Sequence, residues 1–98
     1  MDREITIQLF SAFEQAKKND IETGMEFWLA RELQELLGYV RWENFIKVIE
    51  KAKTACNSSG HNANDHFPDT TKKIDIGKGG KREFDDIALT RYACYLIA

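Results

Sequence analysis

The sequence has two cysteines, Cys56 and Cys94, and one proline, Pro68, in 98 residues. Two cysteines make no disulfide framework, and reduced thiols in a cytosolic protein fit them. No apolar run approaches the ~20 residues that a membrane-spanning helix needs. The N-terminus, MDREITIQ, carries acids and no long apolar core, so it does not read as a secretory signal. Internal repeats and low-complexity tracts are missing too. These absences predict a cytoplasmic chain with no membrane partner. What is present is ordinary for a globular domain, at 43% apolar and 31% charged residues. The length predicts a single domain over 1–98, near the lower limit for burying a sizeable core.

The most informative stretch is Ala30 to Phe45, ARELQELLGYVRWENF. Ala30, Leu33, Leu36 and Leu37 recur at helical spacing. Gly38 follows, where a helix end needs a residue that tolerates a left-handed backbone. A second stripe runs through Trp42, Phe45, Ile46, Ile49, Ala52 and Cys56. Two helices joined by a Gly-centred turn have the order of a helix-turn-helix, which brings nucleic acid into the argument. Many small domains pack two helices this way without touching DNA.

Around this pair, Ile5, Leu9, Ala12, Phe13 and Ala16 predict a first helix, with Asp2 as cap and Lys17 and Lys18 suited to its C-terminal dipole. Met25 to Leu29 predicts a short strand. Asn57 to Asp69 is a long polar connection. Thr71 to Ile76 alternates, with Ile74 and Ile76 on one face. Gly77, Gly79 and Gly80 supply a turn, and Lys81 to Ile87 returns as a second strand. Thr90 caps a last helix with Tyr92, Ala93, Leu96 and Ile97. The apolar helical pattern runs up to Ala98 without a closing Gly or polar fringe, which predicts an N-terminal piece of a longer protein, the alternative being a helix that frays at a true terminus. The fold class is α+β: a small antiparallel sheet, made of a short strand and a hairpin, packed with about four helices. The predicted core is Leu9, Phe13, Trp28, Leu33, Leu37, Phe45, Ile49, Ile74, Ile76, Tyr92 and Leu96.

The net charge of −2 hides an asymmetry. Residues 72–82 hold Lys72, Lys73, Lys78, Lys81 and Arg82 against Asp75, a local +4 that leaves −6 elsewhere. A compact basic segment can attract phosphate while the remainder repels it. Lysines on a hairpin also blunt a sheet edge against aggregation, which is the plainer explanation. Lys47 and Lys51 fall on the polar side of their helix and form a secondary set of candidate DNA contacts.

Catalytic chemistry finds little support. Cys56, His61, Asp65 and His66 match no compact zinc module, so no metal is expected. Ser58 and Ser59 lie in the same loop as His61 and Asp65, whereas a nucleophile set needs separate rigid elements. IGKGGKR lacks the Gly-Lys-Ser/Thr ending of a phosphate loop and joins two strands, so no nucleotide or other cofactor is expected. The pairs Glu32/Glu35 and Asp85/Asp86 read as solvated faces. Trp28, Trp42, Phe27, Phe45, Tyr92 and Tyr95 could stack bases, but most sit at core-spaced positions, which burial explains better. Tyr39 follows the helix-ending Gly, either at the turn surface or in a cap contact. The expectation is a protein that is not an enzyme.

The runs ARELQELLGYVRWENFIKVIEKAK, NANDHF, IGKGGKRE and LTRYACYLIA together closely resemble the N-terminal domain of the DNA-damage-inducible protein D family. The resemblance covers about Phe27 to Ala98. RYACYLIA and the W-x-N-F-x-x-V-I-x-K-A pattern from Trp42 to Ala52 are its most specific parts. That family is related to the Bro-type amino-terminal domains of viral and phage antirepressors. The resemblance implies a mixed α/β domain that binds nucleic acid or acts beside it. It also implies induction in the bacterial SOS response and modulation of the strand-exchange recombinase on single-stranded DNA. No catalytic residue carries over from it.

These readings converge on a non-catalytic regulatory domain of the DNA-damage response. The expected partners are DNA, single-stranded or duplex, or the recombinase filament, with a homodimer left open. An antirepressor-like transcriptional regulator and a pure protein-interaction module are the alternatives.

Overall fold

A computed structural model describes the backbone of residues 3–98, and their side chains apart from those of 4–6 and 72. The expected Asp2 cap and the Ile5 and Lys72 side chains therefore lie outside the described residues. The order is α1 (Arg3–Ala16), β1 (Lys18–Asn19), β2 (Glu26–Leu29), α2 (Ala30–Leu36), α3 (Trp42–Ser58), α4 (Ala63–His66), β3 (Asp69–Gly77), β4 (Gly80–Leu89) and α5 (Arg91–Ile97). The four strands form one antiparallel sheet in the order β1-β2-β4-β3. This is the expected α+β arrangement, with the short β2 beside the hairpin. Trp28 pairs with Leu89 and Leu29 with Ala88.

Gly38 ends α2 for the reason anticipated. Its φ of 81° is left-handed, Tyr39 N–H reaches the Gln34 carbonyl at 3.0 Å, and Gly38 N–H reaches Glu35 at 3.1 Å. This is a Schellman end, and it turns Tyr39 inward onto Phe45, with ring centroids 5.1 Å apart. The helix that follows packs mainly on α5 and only lightly on α2. The pair therefore has the chain order of a helix-turn-helix without standing as a separate two-helix unit.

The core gathers Trp28, Ala30, Leu33, Phe45, Ile49, Ala52, Cys56, Phe67, Ile87, Leu89, Ala93, Cys94 and Ile97. Phe13 stacks on Trp28 at 4.4 Å and 6°, and the indole N–H donates to the Phe13 carbonyl at 2.7 Å. Arg91 closes this stack from outside. Its Nε donates to Glu26 at 2.7 Å and its Nη1 to Glu14 at 2.7 Å, so a single guanidinium ties α5 to β2 and α1. Lys17 and Lys18 leave the α1 axis and meet acids instead, Lys17 near Glu26 at 4.0 Å and Lys18 on Glu32 at 2.8 Å.

Three expectations need correction. Ile74 and Ile76 are 39% and 63% exposed, because β3 packs chiefly on β4 and no described helix closes over it; Ile74 only borders an open cleft with Arg31, Gln34, Gly38 and Val40. Asp86 is 1% exposed, and Glu32 is half-buried on Lys18, so neither acidic pair is simply a solvated face. The polar connection holds a further helical turn, α4. Asn57 Oδ1 accepts from Ala63 N–H, Asn62 Oδ1 accepts from Asn64 N–H, and Ala63 and Phe67 are buried. Among the described residues the helices thus number five.

Candidate nucleic-acid interface

The hairpin turns on Lys78 and Gly79, both left-handed at φ of 52° and 74°. A two-residue turn of this kind matches the right-handed twist of its strands, and glycine at its second position meets no steric cost. From there the ladder pairs Asp75 with Lys81, Ile74 with Arg82, Lys73 with Glu83, Lys72 with Phe84 and Thr71 with Asp85. Side chains alternate across a strand, so the two faces differ in character.

One face carries Lys73, Asp75, Lys81 and Glu83, an alternation of opposite charges. Lys73 lies 3.8 Å from Glu83, and Lys81 stands opposite Asp75. Lys73 is thus paired within the hairpin, while Lys81 has an acid at its register position whose Oδ1 accepts from Gly77 N–H at 3.0 Å. The other face carries Ile74, Arg82, Phe84 and the buried Asp86, with Lys72 at the register position opposite Phe84. Here the Arg82 guanidinium lies 5.0 Å from the Phe84 ring centroid. Arg31 of α2 lies 5.5 Å from the same ring and 4.2 Å from that of Trp42. The result is a ladder of alternating guanidinium and aromatic groups, Arg82–Phe84–Arg31–Trp42, running from the hairpin to the start of α3.

Arg31 is held in place by the hairpin itself. Its Nε donates to the Asp85 carbonyl at 2.6 Å, and its backbone N–H donates to Asp86 Oδ1 at 3.0 Å. Asp86 Oδ1 also accepts from Ile87 N–H at 2.8 Å. Leu29, at the cap position of α2, offers no side-chain bond, so Asp86 caps the helix from across the sheet.

Of the candidate contacts, Arg82 lies on the ladder and Lys78 at the turn, both exposed, while Lys73 and Lys81 lie on the face of alternating charges. Lys47 and Lys51 are exposed one turn apart on α3, away from its buried stripe. The charge is polarised along the hairpin. Residues 69–89 contain five acids and five bases, with the bases toward the turn and Asp69, Asp85 and Asp86 at the base.

The histidines do other work. His66 Nδ1 lies 2.7 Å from Thr90 Oγ1, the oxygen that caps α5 by accepting from Ala93 N–H at 3.1 Å. His61, His66 and Tyr92 pack ring to ring, with centroids 4.8–5.6 Å apart. Among the described residues no three His, Cys, Asp or Glu side chains gather as a metal site. No helix of the described residues is long and apolar enough to cross a membrane.

Residues 18–98 match the BRO family, N-terminal domain. The chain belongs to this family. It is also 49% identical over 74 residues to DNA damage-inducible protein D of Escherichia coli (strain K12), a match covering 76% of this chain and 27% of that protein. The chain thus spans about a quarter of the relative's length. No solved structure matches it. The BRO match begins at Lys18 and leaves α1 outside, although Phe13 and Glu14 of α1 complete the Trp28 and Arg91 contacts. Within the BRO domain, sequence reasoning missed Arg31, Trp42 and Phe84 as one surface. The available signal was the uncapped start of α2, which calls for an acceptor from elsewhere in the chain.

Proposed function

We propose that this BRO N-terminal domain is a non-catalytic regulatory module of the bacterial DNA-damage response that contacts DNA through the outer β3–β4 hairpin. The observation that carries the reading is the Arg82–Phe84–Arg31–Trp42 ladder beside a cation-bearing turn. Guanidinium groups suit phosphate oxygens, and ring faces suit bases or sugar edges. Lys78 and Arg82 meet phosphate first, and Lys72 is a candidate by its sequence position alone. Lys73 and Lys81 contribute less because acids face them, and Lys47 and Lys51 extend the contact along α3. The acidic remainder of the chain keeps the nucleic acid on this side. Family membership and the relative named for DNA damage support the DNA-damage setting, and the reading places the module in the cytoplasm.

The test is fluorescence anisotropy with labelled single-stranded and duplex DNA over a salt series, for the natural chain and for a variant neutralised at Lys72, Lys78, Lys81 and Arg82. Affinity that falls with salt and is lost in the variant supports the reading. Salt-indifferent binding, or equal binding by both chains, overturns it.

A separate observation favours a second reading, a protein-docking module, for which the resemblance implies the strand-exchange recombinase filament as partner. An apolar groove of about 470 Å³ lies between α1, α2 and α5, bordered by Phe10, Leu36, Leu37, Tyr95 and Ile97. Phe10 and Tyr95 are 62% and 59% exposed at its rim. Binding to the filament that survives high salt and needs no free DNA would select this reading over the first, and would also set aside an antirepressor-like role on duplex operators.

A further inference from the structure

The sheet has one long open edge. In the order β1-β2-β4-β3, the nine-residue β3 is terminal, and its chief neighbour is β4. Its outward edge up to Asp75 has no neighbouring strand among the described residues and can pair with one; at the turn end Gly77 N–H is already held by Asp75 Oδ1 at 3.0 Å, which leaves the second Asp75 oxygen for a cation. Natural edges of this length are usually blunted by lysine, and β3 has Lys72 and Lys73. It also has Ile74 and Ile76, 39% and 63% exposed, which invite a partner. An occupant of this edge must answer both the lysines and the isoleucines.

We propose that the partner is a second copy of this chain, joined β3 to β3 in antiparallel register about a two-fold axis at Ile74. A two-fold perpendicular to the sheet makes each residue face one of equal parity, so the axis must pass through a residue position. With the axis at Lys72 or Lys73, like lysines meet, and at Asp75, like aspartates meet. With the axis at Thr71, Asp69 faces Lys73, but Ile74 then faces the partner's Pro68, which has no N–H to donate. At Ile74 every requirement is met. The two Ile74 residues face each other, and Lys73 faces the partner's Asp75 twice over. Ile76 falls at the register position of the partner's Lys72, and Thr71 at that of Gly77. No like charges are opposed.

The geometry within one chain allows this. Lys73 lies 3.8 Å from Glu83 with both side chains more than 60% exposed, so the ammonium can be shared with a second carboxylate. The regular part of the ladder runs through Asp75, and the irregularity between Asp75 and Gly77 falls outside the central Lys73–Asp75 pairs. The product is one eight-stranded sheet, β1-β2-β4-β3 continued by its mirror order in the partner. The two Arg82–Phe84 faces then lie on the same side of the sheet, which doubles the surface assigned to DNA. The dimer stands without the DNA reading, and the doubled surface rests on it.

The experiment uses the natural chain and two single substitutions at exposed β3 positions, Ile74→Cys and Lys73→Cys. The native Cys56 and Cys94 are buried and do not compete. Sedimentation velocity without DNA is expected to show the natural chain passing from monomer to dimer as concentration rises. Under mild oxidation, Ile74→Cys is expected to form a disulfide-linked dimer about tenfold faster than Lys73→Cys, because only facing residues meet disulfide geometry. A natural chain that stays monomeric to near-millimolar concentration overturns the proposal, as does equal crosslinking by the two variants. Anisotropy on the same samples separates the readings. A monomer that binds DNA overturns the dimer alone, and a dimer that ignores DNA leaves it standing and overturns the DNA reading.

Discussion

Asp86 and Arg31 are 55 residues apart in sequence, yet Asp86 Oδ1 accepts the Arg31 backbone N–H at 3.0 Å and so caps α2. The neighbouring Asp85 carbonyl holds the Arg31 guanidinium at 2.6 Å. Two consecutive aspartates therefore fix both the start of the helix and the middle of the cationic ladder. Asp86→Ala is expected to cost about 1–2 kcal/mol, the range for a lost helix cap with its donor left in a buried site. For a chain of this size that lowers the melting temperature by about 4–8 °C per kcal/mol. Asp86→Asn keeps the accepting oxygen and should cost less. Thermal denaturation checks both, and an Asp86→Ala melting temperature equal to that of the natural chain would show that the cap does not stabilise the fold.

The Arg91 pairs predict a dependence on pH. Hydrogen bonds from Arg91 hold the Glu14 and Glu26 carboxyls below their ordinary value of 4.5. Carboxylates depressed in the folded state stabilise it fully above their unfolded pKa, and that contribution is lost as pH falls through the lower folded values. The melting temperature of the natural chain should therefore drop steeply below about pH 4.5. Arg91→Met, which keeps cover over the Phe13–Trp28 stack, should start lower at neutral pH and fall less steeply. Parallel acid titrations of the melting temperature would sink the idea.

Burial pushes the Cys94 thiol up to about 12. That leaves thiolate in only about one molecule in 100,000 near pH 7, and thiolate is the reactive form. Cys56 is fully buried as well. An aromatic disulfide reagent added to the native chain should give no fast phase, and two thiols per chain should appear on adding denaturant. A rapid one-thiol burst from the native protein would contradict the packing of α5.

How much of this was legible in the sequence differs by element. The α2 end could be read because a left-handed residue is chemically distinctive, and Gly38 is where one was needed. The hairpin could be read because glycines cluster between two alternating runs. Ile74 and Ile76 were misplaced because alternation states which residues share a face, and says nothing of whether another element covers it. Asp86 looked solvated because adjacent acids usually are, and its partner is a backbone amide far along the chain. The turn of α4 is too short to show a period, and Asn57 and Asn62 hold it through side-chain bonds. The ladder of Arg31, Trp42, Phe84 and Arg82 draws on three separate elements, so no local pattern could announce it. Basic residues were found by composition, but register alone sorts Lys73 and Lys81 from Arg82.

That sorting gives the sharpest prediction for the interface. Lys73 and Lys81 face acids across the ladder, whereas Arg82 stands opposite Ile74 and beside Phe84. A cation that contacts phosphate releases a counterion on binding, and each one removed lowers the slope of log affinity against log salt by about one. Arg82→Ala should therefore weaken DNA binding and reduce that slope by about one. Lys73→Ala removes a charge that Glu83 already offsets, so it should leave the slope nearly unchanged while freeing an acid that weakens binding slightly. Phe84→Leu keeps the packing under Arg31 but not the ring face. It should weaken binding to single strands with no change in slope, since stacking carries no counterion. Anisotropy over a salt series measures all three. Equal slopes for Arg82→Ala and Lys73→Ala would mean that the two faces of the hairpin do not differ in what they contact, and the interface would have to be sought on α3, at Lys47 and Lys51.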